Sequence, residues 1–166
     1  MQLPDAEELV AELARRMRPK LGPGTALVGI LTGGAWIAEK LNAAFGGTLP
    51  IGTLDVSFYR DDFEEIGLHK EVKPSSIGFD VAGRDIVLVD DVLYTGRTVR
   101  GAMNELFDYG RPASIRLAVL VDRGGRELPV AADFVGASLA VPENTNLHLE
   151  RAADGKLILS LHPHDA

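Results

Sequence analysis

The chain is predicted to fold as an α/β protein, with a mostly parallel central sheet, helices on both faces and a flexible loop or β-hairpin over the site. Three observations carry this. Residues 26–31, 86–89 and 115–121 are apolar runs without alternation, as expected of strands covered on both faces. Two of them pass through short glycine-containing segments, Thr32-Gly33-Gly34 and Thr95-Gly96-Arg97-Thr98, into helical patterns. The resulting order of strand, helix, strand, helix, strand is the α/β signature.

The elements follow in order. Residues 5–18 read as an amphipathic helix with Asp5 as N-cap, Glu7 and Glu8 in the first turn and Arg15, Arg16 and Arg18 at the far end. Leu9, Leu13 and Met17 share its apolar face, and Pro19 with Gly22-Pro23-Gly24 ends it. Residues 26–31 form a strand, residues 35–45 a helix closed by Gly46-Gly47, and residues 51–58 a second strand. Residues 59–81 carry no clear pattern; a run of this length in a compact domain suggests a lid over a site or a β-hairpin excursion. After the strand at 86–89 comes a helix with Val99, Met103, Leu106 and Phe107 on one side, then Gly110 and Pro112. Residues 115–121 and 134–135 are further strands, and 147–149 with 157–161 form a terminal hairpin around Asp154-Gly155.

Bulk properties narrow the class. The 166 residues suit one domain, 1–166, and the 46% hydrophobic content excludes a disordered chain. Without cysteine there is no disulfide or thiol chemistry, which suits a cytoplasmic location. The N-terminus carries early acids rather than a secretion signal, and no run approaches the ~18 apolar residues of a membrane span. The net charge of −7 argues against general nucleic-acid binding but leaves room for a local basic face.

The chemistry concentrates between residues 86 and 98. Asp90 and Asp91 follow an apolar strand, where open α/β sheets bind ligands. Thr95, Gly96, Arg97 and Thr98 then lead into a helix. Unpaired N–H groups at the helix start, a glycine that permits close approach and two hydroxyls form an anion nest suited to a phosphate. The two carboxylates lie about a sugar's width away, placed to accept hydrogen bonds from vicinal ribose hydroxyls. Alone, the acids are turn residues and the threonines are caps; in this register they make a site. It is neither a Walker loop, which needs Gly-Lys-Ser/Thr, nor a Gly-x-Gly-x-x-Gly dinucleotide fingerprint.

The stretch Ile86-Val-Leu-Val-Asp-Asp-Val-Leu-Tyr-Thr-Gly-Arg-Thr98 resembles the signature of type I phosphoribosyltransferases, which bind phosphoribosyl pyrophosphate (PRPP). Leu54-Asp-Val-Ser-Phe-Tyr-Arg-Asp-Asp62, Asp108-Tyr-Gly-Arg-Pro-Ala113, Leu117-Ala-Val-Leu-Val-Asp-Arg-Gly-Gly-Arg-Glu-Leu-Pro129 and Ala132-Asp-Phe-Val-Gly136 extend the likeness to the PyrR family over residues 5–140. Those proteins are pyrimidine operon regulators with uracil phosphoribosyltransferase activity. The resemblance implies the three-layer type I phosphoribosyltransferase fold and a Mg²⁺-dependent reaction of uracil and PRPP giving UMP and pyrophosphate.

By the same resemblance, Asp90 and Asp91 hold the ribose hydroxyls and influence the Mg²⁺ shell, directly or through water. Thr95, Gly96, Arg97 and Thr98 hold the 5-phosphate, and Thr32, Gly33 and Gly34 form the pyrophosphate loop. In the superfamily that loop often carries a non-proline cis peptide. Many relatives have arginine where this chain has Gly33, so Arg60 is the compensating cation, unless it merely pairs with Asp61 or Asp62. Arg123 lies beside the base, and the Phe134–Val135 backbone reads the uracil edge, unless Phe134 is only core. His69, His148, His162 and His164 lack metal-ligand spacing and are not expected to be catalytic. Trp36 is core or interface.

A second class of function stays open: a leader-RNA-binding attenuator with UMP or UTP and PRPP as effectors. Its basic face would draw on Arg15, Arg16, Arg18, Lys20, Arg111, Arg116, Arg123 and Arg126, and Gly125 stands where RNA-binding relatives commonly have histidine. The sequence favours the enzyme; a purine phosphoribosyltransferase is the alternative within that class. Relatives form dimers and higher homo-oligomers, which sets the expectation here.

Overall fold

The computed structural model describes residues 1–57 and 75–164. Most of the patternless segment at 59–81, including Arg60 and His69, therefore lies outside the described residues. Helix α1 (Ala6–Met17) opens on Asp5, whose carboxylate accepts the Glu8 N–H at 3.1 Å. Such a cap contributes about 1 kcal/mol. Leu9, Leu13 and Met17 are buried with Ala6, Val10 and Ala14. The helix does not stop at Met17 but tightens into one 3₁₀ turn, Arg18–Lys20, with Pro19 near its start.

Strand β1 (Ala26–Ile30), helix α2 (Gly33–Ala44) and strand β2 (Ile51–Leu54) follow. β2 is shorter than expected because the Asp55 side chain accepts the Ser57 N–H at 3.0 Å, a local turn that replaces the ladder. β3 (Asp85–Leu93) is longer than its apolar run and continues through both acids. Helix α3 (Arg97–Phe107), strand β4 (Ser114–Asp122) and strand β5 (Phe134–Ser138) complete the main sheet. Its order is β2-β1-β3-β4-β5, with every neighbouring pair parallel. Beyond β2, Ser76 pairs antiparallel with Thr53.

Both faces of the sheet are covered, which explains the missing alternation. Leu27, Val87, Val89, Ala118 and Leu120 bury against α1 and α2. Val28, Ile86, Leu88, Leu117 and Val119, their strand neighbours, bury on the opposite face with Val99, Ala102 and Leu106 of α3. Strands β6 (Thr145–Arg151) and β7 (Leu157–Pro163) form a separate antiparallel hairpin. Leu147, Leu149, Leu157 and Leu159 join the α1–α2 core, so the hairpin is held by burial rather than by sheet hydrogen bonds.

Candidate functional site

The carboxyl ends of β1 and β3 and the β6–β7 hairpin enclose a cleft of about 810 Å³, counted to its open mouth. Gly29 pairs with Val89, so Ile30 stands level with Asp90 and the loop after β1 runs beside Asp91. The Leu31–Thr32 peptide is cis, the feature expected of this loop. α2 begins at Gly33, two residues earlier than the sequence suggested, because both glycines press against β3. A Cβ on Gly34 would lie 2.2 Å from the Val89 carbonyl oxygen. A Cβ on Gly33 would lie 2.5 Å from Asp91 Oδ2. The site is tight enough that no side chain fits at 33 while Asp91 keeps its rotamer.

Asp90 is buried and Asp91 half-buried. Each carboxylate has one oxygen anchored by the next residue: Asp90 Oδ1 accepts the Asp91 N–H and Asp91 Oδ1 accepts the Val92 N–H, both at 2.8 Å. These bonds fix the rotamers at the strand end and aim the acids into the cleft. After β3, Gly96 caps α3 at φ +95°, a left-handed conformation that glycine adopts without penalty. Thr95 Oγ1 accepts the Arg97 N–H at 3.2 Å, tightening the turn at the helix start.

The expected residues divide unevenly. Thr32, Gly33, Asp90, Asp91, Thr98 and Arg123 line the cleft together. Gly34 is the backbone wedge behind them. Thr95 and Gly96 are buried in the turn and do not line the cleft. The Arg97 side chain turns outward, its Nε donating to Glu127 at 2.8 Å in an exposed pair. Arg123 lines the cleft, but its guanidinium donates to the Thr145 and Pro142 carbonyls and stacks 4.0 Å from the Tyr94 ring centroid.

Phe134 and Val135 are not brought to the cleft. Phe134 is buried in the α1–α2 core with the Arg116 guanidinium over its ring, and the Val135 carbonyl accepts Arg16 Nη1 at 2.7 Å. Both stand near the start of β5, while the site lies at the carboxyl ends of its neighbours. The core reading of Phe134 is the one the packing supports.

The sequence reading missed Tyr94, Asn146, Leu147, His148 and His164, which line the cleft together with Ile30, Leu31 and Val92. Asn146, Leu147, His148 and His164, on β6 or just after β7, could have been suspected only if the hairpin were known to fold back over β3. Next to the cleft, Asp122 accepts Arg126 Nη2 at 2.6 Å and the Gly124 N–H at 2.9 Å. The Arg126 guanidinium holds the Asp122 carboxyl below the usual carboxylate range, against partial burial. Arg126 also donates to the carbonyls of Val130 and Tyr94, so it knits the 122–130 loop to the signature turn.

A parallel sheet with paired acids at one strand end, followed by a glycine-capped helix and faced by a glycine loop, defines a phosphoribosyltransferase domain. The family model for the phosphoribosyl transferase domain matches residues 2–147. The chain is similar to proteins named Bifunctional protein PyrR: one from Pseudomonas fluorescens is 48% identical over 153 residues, 90% of this chain and 91% of its own length. Another, from Nitrosococcus oceani, is 52% identical over 143 residues, 85% of this chain and 81% of its own length. The chain belongs to the PyrR family of phosphoribosyltransferases. Among solved structures, a Bacillus anthracis hypoxanthine-guanine phosphoribosyltransferase shares the fold with a TM-score of 0.65 at 20% identity, covering 84% of both chains. A Staphylococcus aureus hypoxanthine phosphoribosyltransferase gives a TM-score of 0.62 at 24% identity, over 83% of this chain and 76% of that one.

Proposed function

We propose that this chain is a uracil phosphoribosyltransferase, transferring the phosphoribosyl group of PRPP to uracil to give UMP and pyrophosphate. The observation that carries it is the single cleft in which Asp90, Asp91 and Thr98 face the Leu31–Gly33 loop. The PyrR relatives support uracil over a purine, because the purine enzymes resemble this chain only at the level of fold.

The residues divide the work by charge. The Asp90 and Asp91 carboxylates accept the two ribose hydroxyls and favour positive charge developing at C1 as pyrophosphate departs. The 5-phosphate rests on the backbone N–H groups at the start of α3 and on the Thr98 hydroxyl. Pyrophosphate lies along Thr32, Gly33 and Gly34, whose lack of side chains lets an anion approach the backbone. Arg60, outside the described residues, supplies its cation. Transfer then depends on positioning: the base nitrogen attacks C1, and its proton leaves to solvent.

Magnesium suits this donor set. The described residues contain no cluster of three ligating side chains, and magnesium keeps water and substrate oxygens in its shell. Asp90 and Asp91 would hold it, directly or through water. When bound it supplies charge neutralisation on the pyrophosphate.

The relatives are bifunctional by name, and leader-RNA binding with UMP or UTP as effector is the second reading. The exposed Arg15, Arg16 and Arg18 on α1 and its following turn favour it. Against it, Arg15 and Arg16 are both held by Glu12, and Arg126 is committed to Asp122. Initial rates with PRPP, Mg²⁺ and a panel of bases test the primary reading: uracil turned over fastest supports it, and faster turnover of hypoxanthine or guanine sinks it.

A further inference from the structure

The loop between β1 and α2 carries two opposed electrostatic features. α2 starts at Gly33, and its N-cap, Thr32, makes no side-chain hydrogen bond to the first turn. The opening N–H groups of a helix have no partner inside it, and with the aligned peptide dipoles they amount to about half a positive charge. Gly33 and Gly34 are buried and carry no side chain to cover that end. By itself this is a place for an anion.

Asp91 works against it. Its Oδ1 accepts the Val92 N–H at 2.8 Å, which fixes the carboxylate. Its Oδ2 lies 2.5 Å, and its Cγ 2.9 Å, from where a Cβ on Gly33 would stand. The carboxylate therefore fills the side-chain space of residue 33, directly on the loop. One full negative charge outweighs the half charge of the helix end. Asp90 does not share this position: it is buried, its Oδ1 accepts the Asp91 N–H, and it meets the loop through its Cα, beside Gly34.

The arginine that lines the described cleft does not cancel this charge at the loop. Arg123 Nη1 and Nη2 donate to the carbonyls of Thr145 and Pro142, and the guanidinium stacks on Tyr94. Those contacts tie it to the roof that the β6–β7 hairpin forms over the cleft. A bare diphosphate on the loop thus meets Asp91 as anion against anion. The sign reverses for a diphosphate that carries a divalent cation, because magnesium favours carboxylate and phosphate oxygens alike.

We propose that Asp91 is a charge filter on the loop: it rejects a metal-free diphosphate group and accepts one that arrives with a divalent cation. Asp90 takes no part in this selection. The inference rests on the phosphoribosyltransferase reading above for what the loop binds.

Titration calorimetry with pyrophosphate as the probe, in EDTA and in Mg²⁺, tests this on the parent, Asp91→Asn, Asp91→Ala and Asp90→Asn, each first checked for parental circular dichroism. The pH is 8, above the ordinary histidine range. Saturating ribose 5-phosphate fills the turn at Thr95–Thr98, so that pyrophosphate reports on the loop. The parent binds pyrophosphate at least about tenfold tighter in Mg²⁺ than in EDTA. In EDTA both Asp91 variants bind about tenfold tighter than the parent, the scale of removing one like charge at contact distance in a solvent-filled cleft. Asp91→Asn gains the more, since its amide adds a donor. In Mg²⁺ the order reverses and both bind about tenfold weaker than the parent, so the preference for the metal complex falls about a hundredfold. Asp90→Asn tightens metal-free binding by no more than about threefold, because its carboxylate is set back from the loop. If in EDTA neither Asp91 variant binds tighter than the parent, or Asp90→Asn tightens as much as they do, the filter is refuted and the functional reading stands. If the parent binds pyrophosphate in neither condition, the assignment of the loop fails and takes this inference with it.

Discussion

Alanine at Gly34 and alanine at Gly33 introduce the same methyl group one residue apart, and the structure separates their effects. At Gly34 the new Cβ would stand 2.2 Å from the Val89 carbonyl oxygen and 3.1 Å from Asp90 Cα. Ordinary contact begins at 3.4 Å, so α2 and β3 must part by about 1.2 Å, and neither obstacle is a side chain that can turn away. Forcing a methyl into a packed interface costs about 1–3 kcal/mol. For a domain of this size that lowers Tm by about 2–12 °C. The displaced strand carries both acids, and a shift of about 1 Å at reacting groups costs about a hundredfold in rate. At Gly33 the obstacle is the Asp91 carboxylate, 2.5 Å from the new Cβ, which can rotate aside. Gly33→Ala should therefore melt within about 2 °C of the parent while losing rate through a misplaced Asp91. Thermal unfolding followed by circular dichroism, with initial rates of UMP formation, reads both variants. The reasoning is refuted if Gly34→Ala melts with the parent, or if Gly33→Ala is destabilised as much as Gly34→Ala.

Other outcomes follow from the same geometry. Asp90→Asn with Asp91→Asn should abolish UMP formation while circular dichroism and Tm stay near parental, since asparagine keeps the shape of both side chains; undiminished turnover would remove the acids from the mechanism. Thr98→Val should raise KM for PRPP about tenfold through a lost hydroxyl contact. Arg97→Ala should leave that KM within about threefold and cost under about 1 kcal/mol, because its guanidinium faces the exposed Glu127; a large effect on PRPP from Arg97→Ala would reinstate its side chain as a ligand. The Asp122 carboxyl is lowered from 3.8 by Arg126, so its stabilising effect is present above that value and is lost as pH falls through the lower folded value. Asp122→Asn should accordingly flatten the acid limb of a Tm-against-pH curve, with the largest difference from the parent at neutral pH. If RNA is bound, retention should fall steeply with salt and respond to UMP.

Some of this was legible in the residues and some was not, for physical reasons. The α1 cap at Asp5 and the Leu9, Leu13, Met17 face are local, and local rules found them. So did the turn at Thr95–Thr98, where glycine sits at the one position with a positive φ. The extent of β3 was not local: Asp90 and Asp91 are poor strand formers, yet ladder pairing of Asp90 with Val119 and of Val92 with Val121 carries the strand through them. Gly33, which looked like a departure from the arginine of relatives, follows from Asp91 filling the space a side chain would need. Gly125 is similar: at φ +78° its missing Cβ leaves room for the Tyr94 ring, which a histidine there would displace. The part of the cleft opposite the acids was hardest to read. Phe134 and Val135 looked accessible as a short strand, but their place in the register is away from the cleft, and the roof comes from a hairpin some ten residues later. No periodicity in residues 145–163 indicates which strand end that hairpin will cover.

The most direct test of the account is the base profile of the purified protein with PRPP and Mg²⁺, followed by chromatography of the nucleotide products. The account predicts UMP from uracil as the fastest reaction, abolished in the Asp90→Asn, Asp91→Asn double variant. Preferential formation of IMP or GMP, or uracil turnover that survives loss of both carboxylates, would contradict it.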